Sequence, residues 1–357
     1  MTGVGRSVQT LPRSCEEPVH PESEWRITGG EDRRHGSVAL MQSSPVARDK
    51  VGKARLSVVV CAYTMDRLND VTAAVDSLRT QQPAPHEVIL VIDHNDDLFF
   101  ALQAYWPDVL VVRSTGATGL SGARNTGVKQ ATGEIVAFLD DDAVAERGWA
   151  QHLVDAYSDE TVMGVGGAVK PAWRAGRPEW FPDEFLWVVG CSYVGQPLGR
   201  AVVRNAIGAN MSFRRSVFEV TGGFDETIGR LGQDAAGCEE TEFSIRAHRA
   251  VPGGRVVLEP EAVVRHAVTA QRVTREYFRQ RCAAEGRSKA LVADLVGPDD
   301  ALASERGYAT RTLPAGVMRN LVAVARGDKA AASRAWAIVD GLVITAWCYT
   351  KARRRRA

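Results

Sequence analysis

Hydrophobic residues fall in short runs separated by mixed segments over the first half of the chain's regular part. Residues 56–62 (LSVVVCA) are continuous and rich in β-branched side chains, the pattern of a strand buried on both faces. Residues 67–80 predict a helix, closed by Gln81-Gln82-Pro83. The rhythm then repeats. Residues 87–93 (EVILVID) predict a second buried strand, 98–105 a short helix, 109–113 a third strand, 121–132 a helix and 134–139 (EIVAFL) a fourth strand. Strands alternating with helices at these lengths predict βαβ units, hence an α/β fold with a mostly parallel central sheet flanked by helices.

The second half is less regular. Residues 161–169 predict a strand, and 171–189, with several aromatics and prolines, a loop. A strand at 209–213, helices at 216–220 and 239–250, and two short strands at 255–259 and 262–266 follow. From residue 274 onward the pattern is helical. Residues 1–54 show no apolar periodicity and read as a disordered leader without a signal segment. The organisation expected is therefore a leader (1–54), a catalytic domain (55–270) and a helical C-terminal extension with a basic tail (271–357).

Composition narrows the class. Forty-four Lys and Arg against 43 Asp and Glu leave a net charge of +1, so no field favours nucleic acid. Six cysteines (Cys15, Cys61, Cys191, Cys238, Cys282 and Cys348) lie scattered with no Cys-x-x-Cys pair, the usage of reduced thiols in a cytoplasmic protein.

The chemistry concentrates where the fourth strand ends in Asp140-Asp141-Asp142. Three adjacent carboxylates repel one another unless a cation neutralises them. An isolated acidic triplet is more often a solvated turn or a helix N-cap. Placement at the carboxyl end of a buried strand, where parallel sheets bind ligands, reverses that preference. Hard divalent ions prefer such oxygens and share coordination with phosphates, so Mg²⁺ or Mn²⁺ holding a diphosphate is the expected occupant.

A competing motif is Gly116, Gly119 and Gly122, a Gly-x-x-Gly-x-x-Gly loop opening a helix, with Asp140 at a plausible distance for a ribose. It supports an alternative reading as an NAD(P)-dependent oxidoreductase. Against it, two strands precede the loop, three acids stand where one is needed, and no Tyr-x-x-x-Lys pattern follows. A third reading is a non-catalytic carbohydrate-binding protein, which an intact acid set argues against.

Taken together, residues 56–67, 88–93, 119–127 (GLSGARNTG), 138–142 (FLDDD), 208–215 (GANMSFRR), 222–226 (GGFDE) and 239–243 (EETEF) resemble family 2 glycosyltransferases of the GT-A fold. The resemblance covers about residues 56–266. It implies a metal-dependent, inverting transfer of a sugar from a nucleotide-sugar, UDP-linked, to a hydroxyl acceptor: a glycan, a lipid-linked sugar or a small molecule. Tyr63 and Asp93 would contact base and ribose, and Arg124 and Asn125 would lie near the diphosphate. Asp140 and Asp142 match the outer acids of the Asp-x-Asp motif. Asp142 would be the main metal ligand, and Asp140 would face the ribose or sugar, with Asp141 beside the donor. The family's later Glu-Asp motif appears here as Glu239-Glu240, which puts Glu240 in the place of the catalytic base, with Glu239 or Glu242 as alternatives. His266 is the candidate further metal ligand. Asn210 and the aromatic stretch holding Trp180 and Trp187 would meet the acceptor, core packing being the other reading of the aromatics. Within the family the sequence looks closest to enzymes acting on sugar-linked dolichyl or polyprenyl phosphates, including glucuronosyltransferases.

Residues 335–349 (AWAIVDGLVITAWCY) are apolar and precede Lys351 and Arg353–Arg356. The run is too short to span a bilayer and carries Asp340. Peripheral contact with the inner face of a membrane is one reading, and a core helix with a solvated tail is the other.

Overall fold

The computed structural model describes residues 54–229, 237–297 and 303–356. The leader expected over residues 1–54 lies, up to residue 53, outside the described residues, as does Cys15.

Strands β1 (Leu56–Ala62), β2 (Glu87–Ile92), β3 (Val109–Arg113) and β4 (Ile135–Asp140) pair in parallel in the order β3-β2-β1-β4. Their alternating side chains feed two apolar clusters. Val58, Val60, Leu90 and Ile92 enter one, and Val59, Ile89 and Val91 the other. Burial on both faces explains why β1, β2 and β4 read as continuous apolar runs, while β3, at the sheet edge, leaves Leu110 exposed. Helix α1 (Leu68–Arg79) buries Val71, Ala74, Val75 and Leu78, a single stripe at helical spacing. Helix α2 (Asp96–Leu102) starts two residues earlier than its hydrophobic pattern suggests. The Asn95 side chain caps it by accepting from the Leu98 N–H at 2.9 Å. Helix α3 (Leu120–Gln130) lies between β3 and β4 as expected.

Beyond β4 the sheet turns mixed. Strand β8 (Asn210–Arg214) runs antiparallel to β4, β6 (Val162–Trp173) antiparallel to β8, and β9 (Arg255–Val268) parallel to β6. Short strands β5 (Ala143–Ala145) and β7 (Ala201–Val203) and helix α4 (Trp149–Ala156) complete this half; hydrophobic pattern alone does not indicate them. The two short strands expected at 255–259 and 262–266 form one strand. Its apolar pattern breaks at Pro260 because the β6 register shifts there: Gly167 pairs with Glu259, and the next residue, Ala168, with Val263. The expected loop at 171–189 begins with the last residues of β6 and ends in a 3₁₀ segment, Asp183–Val189.

Helix α5 (Arg215–Thr221) and helix α6 (Glu239–Ala250) follow β8. Helix α7 (Arg275–Val296), capped by Thr274 accepting from Tyr277 N–H at 3.1 Å, opens the C-terminal part. Phe278 of α7 packs on Trp180, Phe181 and Phe185. Two further long helices, Leu313–Ala325 and Lys329–Arg356, end the chain. No helix among the described residues is long and apolar enough to cross a membrane.

Candidate active site

The carboxyl ends of β1, β2 and β4 and the first turn of α3 line one cleft, bounded by Tyr63, Arg67, Asp93, Gly119 and Asp140–Asp142. This is the edge at which parallel strands place ligands. The two strand ends are cross-tied, because the Asn95 side-chain amide donates to the Tyr63 carbonyl at 3.0 Å. Asp93 is held on both sides: the Gly119 N–H donates to Oδ2 at 2.8 Å, and His94 Nδ1 lies 2.7 Å from Oδ1.

Sheet register builds the cation site. Strand β5 continues β4 past the acids and pairs antiparallel with β9, setting Ala143 opposite His266. The Ala267 N–H donates to the Asp142 carbonyl at 2.8 Å. Distant in sequence, His266 is thereby fixed with Nε2 3.0 Å from Asp142 Oδ1. One ligand atom each from Asp140, Asp142 and His266 falls within 4.8 Å of the others. Two carboxylates and an imidazole suit Mg²⁺ or Mn²⁺, so the residues present fit a divalent ion.

Electrostatics separate the three aspartates. Burial disfavours the charge on Asp142, but His266, Arg272 and Arg67 outweigh it and hold the carboxyl far below its ordinary range. Burial and the neighbouring Asp142 charge instead push Asp141 up to about 7. For His266, burial favours the neutral ring, yet the Asp142 charge and hydrogen bond raise it to about 10. Two arginines complete the cluster. Arg67 lies 2.7 Å from Asp141 and 3.4 Å from Asp142, and Arg272, on the turn after β9, lies 3.3 Å from Asp142. Sequence pattern assigns neither of them a role. Arg67 sits only four residues past Tyr63, and its one signal is proximity to the first strand end.

Arg124 is the buried hub between this cluster and α6. Its guanidinium is 2.8 Å from Glu239 and 3.4 Å from Asp140, and donates to the Gly208 carbonyl at 3.1 Å. The acidic start of α6 is thereby sorted. Glu239 is taken by Arg124, and Glu242, buried, is taken by Arg246, whose Nη2 donates to it at 2.7 Å. Glu240 has no ion-pair partner among the described residues. Burial and the Glu239 charge push its carboxyl up to about 8.

Other expected residues lie elsewhere. Asn125 faces away toward residues 224–226: its amide donates to the Phe224 carbonyl and to Glu226, both at 2.9 Å. Asn210 is fully buried, which revises its expected acceptor contact. Its oxygen accepts from the Trp149 indole at 2.8 Å, and its amide donates to the Ala168 and Ala262 carbonyls at 3.0 and 2.8 Å. A side chain on Gly167 would collide with that amide, so the glycine makes room for Asn210 to knit β8 to β6 and β9. Trp180 and Trp187 are partly buried. Trp180 packs on Phe181 and Phe278 beneath Arg275, and Trp187 donates to the Tyr308 hydroxyl at 3.1 Å. In the glycine loop, a Cβ on Gly116 would lie 2.7 Å from Gly122 Cα. These glycines let the turn fold on itself. The described cysteines are free thiols.

A sheet that presents an Asp-x-Asp-like acid pair and a histidine beside a strand-end cleft is the arrangement of a GT-A nucleotide-sugar transferase. The family model for glycosyl transferase family 2 matches residues 57–222. The chain is 37% identical over 248 residues to a glucosyl-dolichyl phosphate glucuronosyltransferase of Haloferax volcanii, covering 68% of this chain and 79% of that protein. It is 28% identical over 237 residues to the O-antigen biosynthesis protein RfbC of Myxococcus xanthus, covering 62% of this chain but 18% of that protein. In fold it matches a mannosyltransferase of Pyrobaculum calidifontis solved with GDP-mannose and Mn²⁺, at a TM-score of 0.52 and 18% identity, over 83% of this chain and 88% of that one. The chain belongs to glycosyltransferase family 2 and is a glycosyltransferase. The oxidoreductase and non-catalytic binding readings both give way to that membership.

Proposed function

We propose that the chain carries out a metal-dependent, inverting transfer of a sugar from a UDP-linked donor to a hydroxyl of a glycan or lipid-linked sugar. The observation that carries this reading is the convergence of Asp140, Asp142 and His266 at the end of β4. These three residues would hold Mg²⁺ or Mn²⁺. When bound, such an ion offsets charge that builds on a departing diphosphate.

The chain's own groups divide the remaining work. Tyr63 and Asp93 line the cleft from the ends of β1 and β2, which supports contacts to base and ribose. Arg124 and Arg67 place positive charge beside the acids, where a diphosphate needs neutralising. Asp141 lines the same cleft and is held by Arg67 at 2.7 Å, which supports a place beside the donor. Glu240, unlike Glu239 and Glu242, is not engaged by an arginine, which supports its role as the base. It would remove the acceptor hydroxyl proton as that oxygen bonds to the anomeric carbon and the bond to the diphosphate oxygen breaks. A single displacement from the opposite face inverts the anomeric centre. Trp180 and Trp187 pack on Phe278 and Tyr308, so the acceptor side is left to the end of their segment at Gly190, which lies against the His266 ring.

A thermal-shift panel of UDP- and GDP-sugars with and without Mn²⁺ tests the reading, because a ligand bound only by the native state raises apparent stability. UDP-sugars should stabilise the protein in a manganese-dependent way, and Asp142→Ala should abolish the effect. A panel in which no nucleotide-sugar shifts the melt removes the proposal, and a shift by GDP-sugars alone removes uridine from it.

A further inference from the structure

The last two helices turn an apolar face to solvent. In Lys329–Arg356, Trp336, Val339, Val343 and Trp347 are 60%, 41%, 60% and 67% exposed. Their spacing of three, four and four places them in one stripe, about 16 Å long at the rise of an α-helix. The opposite face of that helix is committed to the fold. Ile338 is buried, and Phe185 leaves no room for a side chain at Gly341. The neighbouring helix Leu313–Ala325 adds exposed Met318, Leu321, Val322 and Val324. Together these two helices hold eight of the 18 large hydrophobic residues that are exposed among the described residues. Single exposed apolar side chains are ordinary, but a continuous stripe of them marks a contact surface.

Charge selects the occupant. Along the stripe's line the helix continues into Lys351, Arg354 and Arg355, all exposed. Asp340, four residues after Trp336 and so beside the stripe, is the one acid in either helix, and Arg279 neutralises it at 2.7 Å. Two tryptophans, aliphatics between them and cations at the end match the headgroup boundary of an anionic bilayer. A second copy of this chain would bring a second cationic end and, with Asp340 already paired to Arg279, no free acid on these helices to meet the first. We infer that the helices Leu313–Ala325 and Lys329–Arg356 form a membrane-docking face. Its apolar stripe, with Trp336 and Trp347, lies in the headgroup region of an anionic lipid surface and its basic end binds lipid headgroups. The helix lies on the bilayer and does not cross it. This inference does not depend on the transfer reaction, since none of these residues belongs to the cleft.

Vesicle flotation of the purified full chain tests it. The protein should float with vesicles containing phosphatidylglycerol, less with phosphatidylcholine alone, and less again in high salt. Trp336→Ser combined with Trp347→Ser should lower binding about tenfold or more. Lys351→Gln with Arg354→Gln and Arg355→Gln should lower binding to anionic vesicles by roughly a hundredfold while sparing the neutral ones. Each variant should keep the wild-type melting temperature. If the tryptophan pair fails to fold, Val343→Asp, at an equally exposed site, takes its place. The inference is overturned if the wild type floats with neither vesicle, or if the stripe variants float like wild type. It is overturned too if sedimentation velocity shows a dimer that the same variants dissociate, which assigns the face to a second copy.

Discussion

Arg124 gives the sharpest test of how the site is held together. Its side chain is 2% exposed and that of Glu239 is 5% exposed. Replacing Arg124 with Met keeps much of the volume but strands the Glu239 carboxylate, whose other oxygen is already buried without a hydrogen-bond partner. Removing one partner of a buried ion pair costs about 3–5 kcal/mol. Asp140, the second acid it touches, is 25% exposed and can turn to water, so the loss is concentrated on Glu239. For a domain of this size each kcal/mol moves the melting temperature by roughly 2–4 °C. Arg124→Met should therefore melt roughly 10 °C below wild type. Glu239→Gln should relieve most of that loss when combined with it, because a neutral amide no longer needs a cation. A thermal-melt double-mutant cycle measures the coupling. Additive losses in the double variant, or a fall of under about 2 °C for Arg124→Met alone, would show that the pair does not carry the charge balance described.

Three further predictions rest on the same geometry. His266 is raised to about 10 by its contact with Asp142, yet a metal ligand must be neutral. Metal binding therefore displaces a proton, and Mn²⁺ affinity by calorimetry should rise about tenfold per pH unit below that value, with proton release visible as a buffer-dependent heat. Glu240 is raised to about 8, so it is protonated at lower pH and silent as a base. The transfer rate at saturating donor should climb as pH rises toward about 8 and level above it. Glu240→Gln should flatten that profile and retain the nucleotide-sugar thermal shift; a variant with a normal rate would place the base elsewhere. Asn210→Ala strands the Trp149 indole N–H and two carbonyls, and should cost about 1–3 kcal/mol in a urea melt without changing donor affinity. A stable Asn210→Ala protein with weakened acceptor kinetics would return Asn210 to the acceptor side.

The parallel half of the sheet is legible in the sequence because β1, β2 and β4, buried on both faces, must be apolar throughout, and the edge strand β3 keeps a short β-branched run. Each run from residue 56 to 139 therefore announces a strand, and the acids after residue 139 fall where such strands end. The mixed half is less legible. Strands β5 and β7 are three residues long, too short for any period, and the register shift at Pro260 looks like a gap between two strands. The aromatics at 173–187 cannot be apportioned between a ligand and the core from sequence. Ring contacts among Trp180, Phe181, Phe185 and Phe278 show how much of that segment is anchored on α7.

What the chain's residues determined by themselves was local: the period of the strands, the position of three acids at a strand end, and family motifs in a constant order. Pairing across the sheet was decided only by the tertiary structure. The antiparallel match of β5 with β9 brings His266 and Arg272 to Asp142, and Arg124 divides the acids of α6 between structure and cleft. A residue's charge state and its partners depend on which distant strand lies beside it, and nothing in the local pattern of apolar and polar positions encodes that neighbour. The exposed stripe of the last helix obeys the same rule. Its apolar residues could serve a core or a surface by sequence alone, and only tertiary packing shows that the other face of the helix is the one the fold covers.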